Sequence, residues 1–236
     1  MSHLPAGSEA DFLINGNQTE QKQPEMNVSN IRLNYKKGAL NEEDAGPDPF
    51  ALLEKWLQNA IESEVNEPTA MVLSTINAEG VPDSRVVLLK GLESNKLLFF
   101  TNYLSDKGLH ILHNPGVSVL FFWPELERQI RIQGIASKIS QEESEQYFNS
   151  RPLESRVGAI ISPQSQVIEN REFLEKSFSS LLDKSISQNL EKPAHWGGYS
   201  IVMNKIEFWQ GRPGRLHDRI RFRQENNNWI RERLAP

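Results

Sequence analysis

The 236-residue chain contains no cysteine. This excludes disulfides, thiolate metal sites, iron–sulfur clusters and cysteine nucleophiles, and it suits a reducing compartment. No apolar run approaches the ~20 residues that a membrane-spanning helix needs. The N-terminus has neither the basic and apolar regions of a secretory signal nor the arginines of a mitochondrial transit peptide. A soluble, cytoplasmic protein without a membrane partner is expected. There are 26 Lys+Arg against 31 Asp+Glu, a net charge of −5, so a chain-wide grip on nucleic acid is not expected either. Several chemistry-bearing motifs are also missing: His-Glu-x-x-His, Gly-x-Ser-x-Gly, the Walker loop and Gly-x-Gly-x-x-Gly. His110 and His113 stand three apart with no carboxylate or third ligand close by, so no metal site is expected.

The composition that remains, 38% hydrophobic and 24% charged, is that of a globular protein with a sizeable core. Residues 1–30 hold one Lys against Glu9, Asp11, Glu20 and Glu25 without a sustained period, and read as an arm outside a single domain at 31–236. Asp48-Pro49 is an N-cap followed by proline at the first helical position, and Phe50, Leu53, Leu57, Ala60 and Ile61 predict an amphipathic helix over 49–64. Short runs rich in Val, Ile, Leu and Phe then predict strands at 69–76, 84–90, 96–101, 117–123 and 129–138, separated by turn residues. A short helix fits 105–113, and Ser140-Gln-Glu-Glu143 is a capping box opening a helix to about Ser150. Pro152 ends that helix and starts another, and Asn170–Asp183 has helical spacing again. Strands are predicted at 199–204, 205–210, 215–223 and 228–234. Many short strands with inserted helices, and no alternating strand–helix units, indicate a mainly β, antiparallel barrel with peripheral helices.

Three basic clusters bear on chemistry. From Lys205 to Pro236 there are 8 Lys+Arg and 4 Asp+Glu, a local net charge of 8 − 4 = +4. Strand alternation would put Arg215, His217, Arg219, Arg221 and Arg223 on one face, opposite Leu216, Ile220 and Phe222. Such a face serves either as the solvated, charge-protected side of an edge strand or as an anion site of Arg forks. Arg85 and Lys90 bracket an apolar strand, and their odd spacing puts them on opposite faces. They are either snorkelling ends or ligand-binding cations. Tyr147 and Arg151 share a helical face, with Ser155 one turn further but beyond Pro152. Trp209, in a strand after Glu207 and Phe208, would ordinarily be scored as core.

Several stretches are specific together. Arg85-Val-Val-Leu-Leu-Lys90, Phe99-Phe-Thr-Asn102, Leu126-Glu-Arg-Gln129 and Tyr147-Phe-Asn-Ser-Arg-Pro152 are followed by Pro163-Gln-Ser165 and Trp196-Gly-Gly-Tyr199. Ile206-Glu-Phe-Trp-Gln-Gly211, Arg215-Leu-His-Asp-Arg219 and Glu232-Arg-Leu-Ala-Pro236 complete the series. In this order they resemble the pyridoxine (pyridoxamine) 5′-phosphate oxidase family from about Arg32 to the C-terminus. The resemblance implies an FMN-binding split β-barrel and a homodimer with FMN at the subunit interface, the C-terminal segment serving dimerisation and substrate. It implies oxidation of pyridoxine or pyridoxamine 5′-phosphate to pyridoxal 5′-phosphate, with O₂ as acceptor and hydrogen peroxide as by-product. By the same resemblance, FMN would be held by Arg85, Val86, Val87, Leu88, Leu89 and Lys90, by Phe100, Thr101 and Lys107, and by Gln129, Gln164, Ser165, Trp209 and Arg219. Substrate phosphate would meet Lys90, Tyr147, Arg151 and Ser155. Arg215 and His217 would be catalytic, orienting the substrate ring beside Leu216, with Arg32 and Tyr35 in a covering segment. Two positions depart from the family's usual pattern: Ser105-Asp106-Lys107 stands where it reads Ser-Arg-Lys, and Leu33-Asn34 replaces a more basic pair.

Overall fold

The computed structural model describes residues 28–30, 33–187 and 189–236. Most of the arm read at 1–30, and Arg32, lie outside the described residues. The chain divides between Leu33 and Asn34, and the fold below is that of Asn34–Pro236.

Local sequence sets the helix ends. A short helix, α1 (Glu42–Ala45), precedes α2 (Pro49–Glu62), which starts where Asp48 caps it, Oδ1 accepting from Phe50 N–H at 2.8 Å. Leu52, Leu53, Trp56 and Ala60 of α2 face the core. α3 spans Asp106–His113. α4 (Gln141–Ser150) carries the reciprocal Ser140/Glu143 capping box, α5 follows at Leu153–Ile161, and Asn170 caps α6 (Arg171–Ser185).

Nine antiparallel strands are described: β1 (Ala70–Ile76), β2 (Pro82–Leu88), β3 (Gly91–Glu93), β4 (Lys96–Asn102), β5 (Gly116–Trp123), β6 (Arg128–Lys138), β7 (Trp196–Gln210), β8 (Asp218–Glu225) and β9 (Asn228–Arg233). They form one sheet in the order β2-β1-β5-β6-β7-β4-β3, with β8 on β7 and β9 on β8. The two strands expected at 199–204 and 205–210 are one strand. β7 pairs with β6 from Tyr199 to Gln210, while its other edge takes β4 over 196–202 and β8 over 205–210. A bulge between Gln133 and Gly134 of β6 absorbs the irregularity. A Cβ at Gly134 would stand 2.3 Å from the Val202 carbonyl oxygen, so only glycine permits that approach. Alternate residues of the strands, among them Leu73, Val119, Ile132, Ile201, Phe208 and Phe222, are almost completely buried in one core beneath α2.

Candidate active site

The expected site residues fall into two groups. The first lines a cavity of about 530 Å³. β2 contributes Arg85, Val86, Val87 and Leu88, followed by Lys90; β4 contributes Phe100 and Thr101, and α3 Lys107. The α4–α5 corner contributes Tyr147, Arg151 and Ser155, and Gln164 follows α5. Asn102, Ser162 and Trp196 also line the cavity and were not singled out beforehand, although Asn102 and Trp196 sit inside quoted motifs. Four lining residues are cations and none is a carboxylate.

Three of these cations are held in different ways. Arg85 donates to the Leu73 carbonyl (3.0 Å) and Thr75 Oγ1 (2.7 Å) and forms an ion pair with Asp83. Thr75 Oγ1 in turn meets His110 Nδ1 at 2.9 Å. Lys107 is buried, and its Nζ donates to Gln164 Oε1 (3.0 Å) and Ser105 Oγ (3.2 Å). Burial, then repulsion from Arg85, pulls its pKa below the ordinary lysine value, with Asp106 and Asp83 opposing. Arg151 lies 4.7 Å over the Trp196 ring. Burial lowers the pKa of its guanidinium and raises that of the Tyr147 phenol. Phe100 stacks on Tyr147 (centroids 3.8 Å apart, 18° between planes) and on Trp196 (5.5 Å), making one flat aromatic wall. Arg151 Nη1 is buried without a hydrogen-bond partner among the described residues. An unpaired buried donor costs about 1–3 kcal/mol, and an anion in the cavity would supply the missing acceptor.

Two parity readings are corrected here. β2 stops at Leu88, so alternation does not extend to Lys90, and Arg85 and Lys90 open on the same cavity. Leu89 between them turns into the core, its N–H bonded to the Thr69 carbonyl. Beyond α4, Arg151 is extended (φ −75°, ψ 150°), as a residue before proline prefers. The corner nonetheless delivers Tyr147, Arg151 and Ser155 to one place.

The second group lies on the outer face of the sheet. Gln129, Trp209 and Arg219 stand in register across β6, β7 and β8. Tyr35 packs edge-on against Trp209 and His217, both at 5.6 Å, and Trp209 and His217 are 4.7 Å apart. Trp209 is half-buried in this cluster and is not core. β8 begins at Asp218, so Arg215 and His217 precede the alternation expected over 215–223. They belong to a turn in which Gly214 (φ 64°) and Arg215 (φ 61°) are left-handed. Arg212 N–H donates to His217 Nδ1 at 3.1 Å, which leaves the proton of the neutral ring on Nε2. Arg219, Arg221 and Arg223 do share one face, but carboxylates occupy them. Glu207 takes Arg219 (2.8 Å), and Glu232 takes Arg221 (2.6 Å) and Arg223 (3.1 Å). These three arginines are thus matched across strands, a pairing visible only once Glu207 and Glu232 are in register.

None of Tyr35, Gln129, Ser165, Trp209, Arg215, Leu216, His217 and Arg219 lines the cavity. Trp196 and Trp209 mark the two groups at opposite ends of the 15-residue β7, roughly 40 Å apart measured along the strand. Among the described residues there is no helix long and apolar enough to cross a membrane and no cluster of three metal-ligating side chains.

Comparison with known proteins gives this arrangement its context. Residues 57–184 match the family model described as pyridoxamine 5′-phosphate oxidase, and residues 196–236 match the pyridoxine 5′-phosphate oxidase C-terminal dimerisation region. The chain is 53% identical over 209 residues to the pyridoxine/pyridoxamine 5′-phosphate oxidase of Leptospira biflexa, covering 89% of this chain and 99% of the relative. It is 51% identical over 212 residues to the Haemophilus influenzae protein of the same name, covering 89% of this chain and all of the relative. Among solved structures, PhzG from Burkholderia lata 383, in complex with tetrahydrophenazine-1-carboxylic acid, aligns with a TM-score of 0.78 and 29% identity over 82% of this chain and 95% of that one. A pyridoxamine 5′-phosphate oxidase-related, FMN-binding protein from Nostoc punctiforme aligns at 0.65 with 18% identity, over 80% of this chain and 98% of that one, and shares the split-barrel fold. By fold, by both matched regions and by identity over most of its length, this chain belongs to the pyridoxine/pyridoxamine 5′-phosphate oxidase family.

Proposed function

We propose that the protein oxidises pyridoxine 5′-phosphate and pyridoxamine 5′-phosphate to pyridoxal 5′-phosphate, with FMN as cofactor and O₂ as final acceptor, giving hydrogen peroxide. The observation that carries the reading is the cavity lined by four cations and no carboxylate, with the buried Arg151 Nη1 lacking an acceptor. That donor set fits two phosphate esters and an aromatic ring system. Arg85, Lys107, Thr101 and Gln164, with the backbone of Val86–Leu88, would hold the flavin mononucleotide. Lys90, Tyr147, Arg151 and Ser155 would take the substrate phosphate. FMN, when bound, supplies the acceptor for the hydride leaving C4′ of the substrate.

The chain's own residues then bind and orient. Arg215 contributes a fixed cation, and His217 presents its Nε2–H as a donor because Arg212 N–H occupies Nδ1. Tyr35 covers the His217 ring on one side. Gln129, Trp209, Arg215, His217 and Arg219 would meet the cavity of a second copy, so that the complete site needs a homodimer. The match of residues 196–236 to a dimerisation region and the 73% exposure of Leu216 support this assembly. The test is the visible spectrum of the purified protein. Flavin bands that bleach anaerobically on adding pyridoxine 5′-phosphate, and far more slowly with unphosphorylated pyridoxine, are expected. Protein that binds no FMN, or bound flavin that pyridoxine and pyridoxamine phosphates leave oxidised, would refute the reading.

A further inference from the structure

Asp218 lies outside the cavity, yet three separate parts of the molecule converge on its carboxylate. Oδ2 accepts from the Leu40 N–H and from Arg212 Nη1, and Oδ1 accepts from Arg233 Nη1, each at 3.0 Å. Its side chain is only 18% exposed, so these bonds are partly shielded from water and, being charge-assisted, stronger than neutral ones. The backbone that carries this carboxylate is tied into the sheet, because Asp218 is the first residue of β8 and pairs with Gln210 of β7.

The three partners lead to different functions. Leu40 ends the segment that begins with Tyr35. That segment is also pinned at Glu127, whose Oε2 accepts from Lys36 N–H (2.7 Å) and Lys37 N–H (2.9 Å). It passes so close to Gly211 that a Cβ there would come within 2.8 Å of Tyr35 Cγ. Arg212 opens the turn carrying Arg215 and His217, and its backbone N–H selects the His217 tautomer. Arg233 anchors the arrangement to β9, reaching Glu42 as well (2.6 and 2.9 Å). Asp218 therefore joins the covering tyrosine to the turn that holds the two residues read as catalytic.

We propose that Asp218 is a positioning residue: its carboxylate sets the placement of the Arg215–His217 turn relative to Tyr35, and with it the His217 tautomer. This rests on the reading that Arg215, His217 and Tyr35 face the substrate. Asp218→Ala removes all three bonds. Arg212→Met unties only the turn, from a side chain 38% exposed, and leaves the Leu40 and Arg233 bonds in place.

The experiment uses the FMN-loaded full chain. Both variants are expected to lose about ten- to a hundredfold in kcat/KM for pyridoxine 5′-phosphate, the scale of a small misplacement of catalytic groups, while the apo-protein keeps its FMN affinity. The second readout is the ¹⁵N imidazole spectrum of the five histidines, with His217 assigned from His217→Gln. Wild type should give one Nε2–H tautomer for His217, and the variants an average of two. Unchanged kcat/KM, or a loss with the His217 signal unaltered, would overturn the proposal. If Asp218→Ala does not fold, Arg212→Met decides by the same two measurements. Wild-type protein without oxidase activity would instead defeat the functional reading, and the imidazole spectrum would still decide whether Asp218 governs the tautomer.

Discussion

Arg151 combines three constraints: its backbone is extended before Pro152, its side chain is stacked over Trp196, and its buried Nη1 is satisfied by nothing among the described residues. A lysine could supply the charge but neither the planar fork nor the stacking. Arg151→Lys should therefore raise KM for pyridoxine 5′-phosphate by roughly 10- to 150-fold, the worth of a charge-assisted hydrogen bond of about 1.5–3 kcal/mol. The slow rate with unphosphorylated pyridoxine should stay as it was. Equal losses on both substrates would mean that Arg151 supports the fold and not the phosphate. Lys107 makes a second prediction, about pH. Burial and Arg85 lower its pKa, so the ligand-free protein releases this proton below the usual lysine range near ~10.4. A bound phosphate favours the ammonium, so binding at high pH takes the proton back. FMN affinity should be full below the depressed pKa and fall as pH rises through it. Titrating apo-protein with FMN across alkaline pH should reveal that fall, and Lys107→Arg, which stays protonated, should flatten it.

Elements show where local and tertiary forces compete. At α3 the backbone places Ser105 at the N-cap, but its side chain makes no capping bond. It turns inward instead, donating to the Asn102 carbonyl (2.7 Å) and accepting from Lys107 Nζ. Asp106, in the first helical turn, is exposed, lies off the cavity wall, and makes no ion pair with Arg85 or Lys107. It still counters the lowering of the Lys107 pKa, so its field reaches that amine. A carboxylate gains about 0.3–1 kcal/mol from the helix dipole there. Against a phosphate ~6 Å away at an effective dielectric of ~20 it loses roughly 2–3 kcal/mol per charge pair. With the FMN phosphate at that spacing, as proposed, repulsion would outweigh the dipole gain. Asp106→Arg should tighten FMN binding and Asp106→Asn tighten it less, with kcat at saturating FMN little changed and the effect smaller at high salt. Unchanged or weaker affinity in Asp106→Arg would show that solvent screens this position.

At the scale of the whole molecule, β7 carries Trp196 at one end and Trp209 at the other, and the two groups of site residues stand with them. If a homodimer brings the cavity of one copy to the turn of the other, inactive variants in different groups should complement each other. Arg151→Ala mixed with His217→Ala, refolded together, should form hybrid dimers with one intact site in two. Random pairing makes half the dimers hybrid, so about a quarter of wild-type activity should return. No recovery from a mixture whose hybrid dimers are demonstrated would mean that each site is built within one chain.

The sequence by itself determined most of the elements and the nature of the chemistry. Caps at Asp48, Ser140 and Asn170, apolar periodicity and turn residues are local signals, and the helices and strands follow them closely. Cation-rich motifs admitted anion binding beside a solvated charged face, and the resemblance carried by the ordered motifs supplied the flavin redox chemistry. Tertiary structure decided what depends on partners far along the chain. Whether β7 is one strand or two rests on neighbours over both its edges. Where β2 stops decides that Arg85 and Lys90 share a cavity, and where β8 starts decides that Arg215 and His217 sit in a turn, because alternation holds only inside a strand. Arg221 and Arg223 could be read as free cations until Glu232 stood opposite them. The joining of Leu40, Arg212 and Arg233 at Asp218 spans 193 positions of chain. No local pattern encodes such a junction, since it exists only where the folded sheet brings those backbones within hydrogen-bond reach.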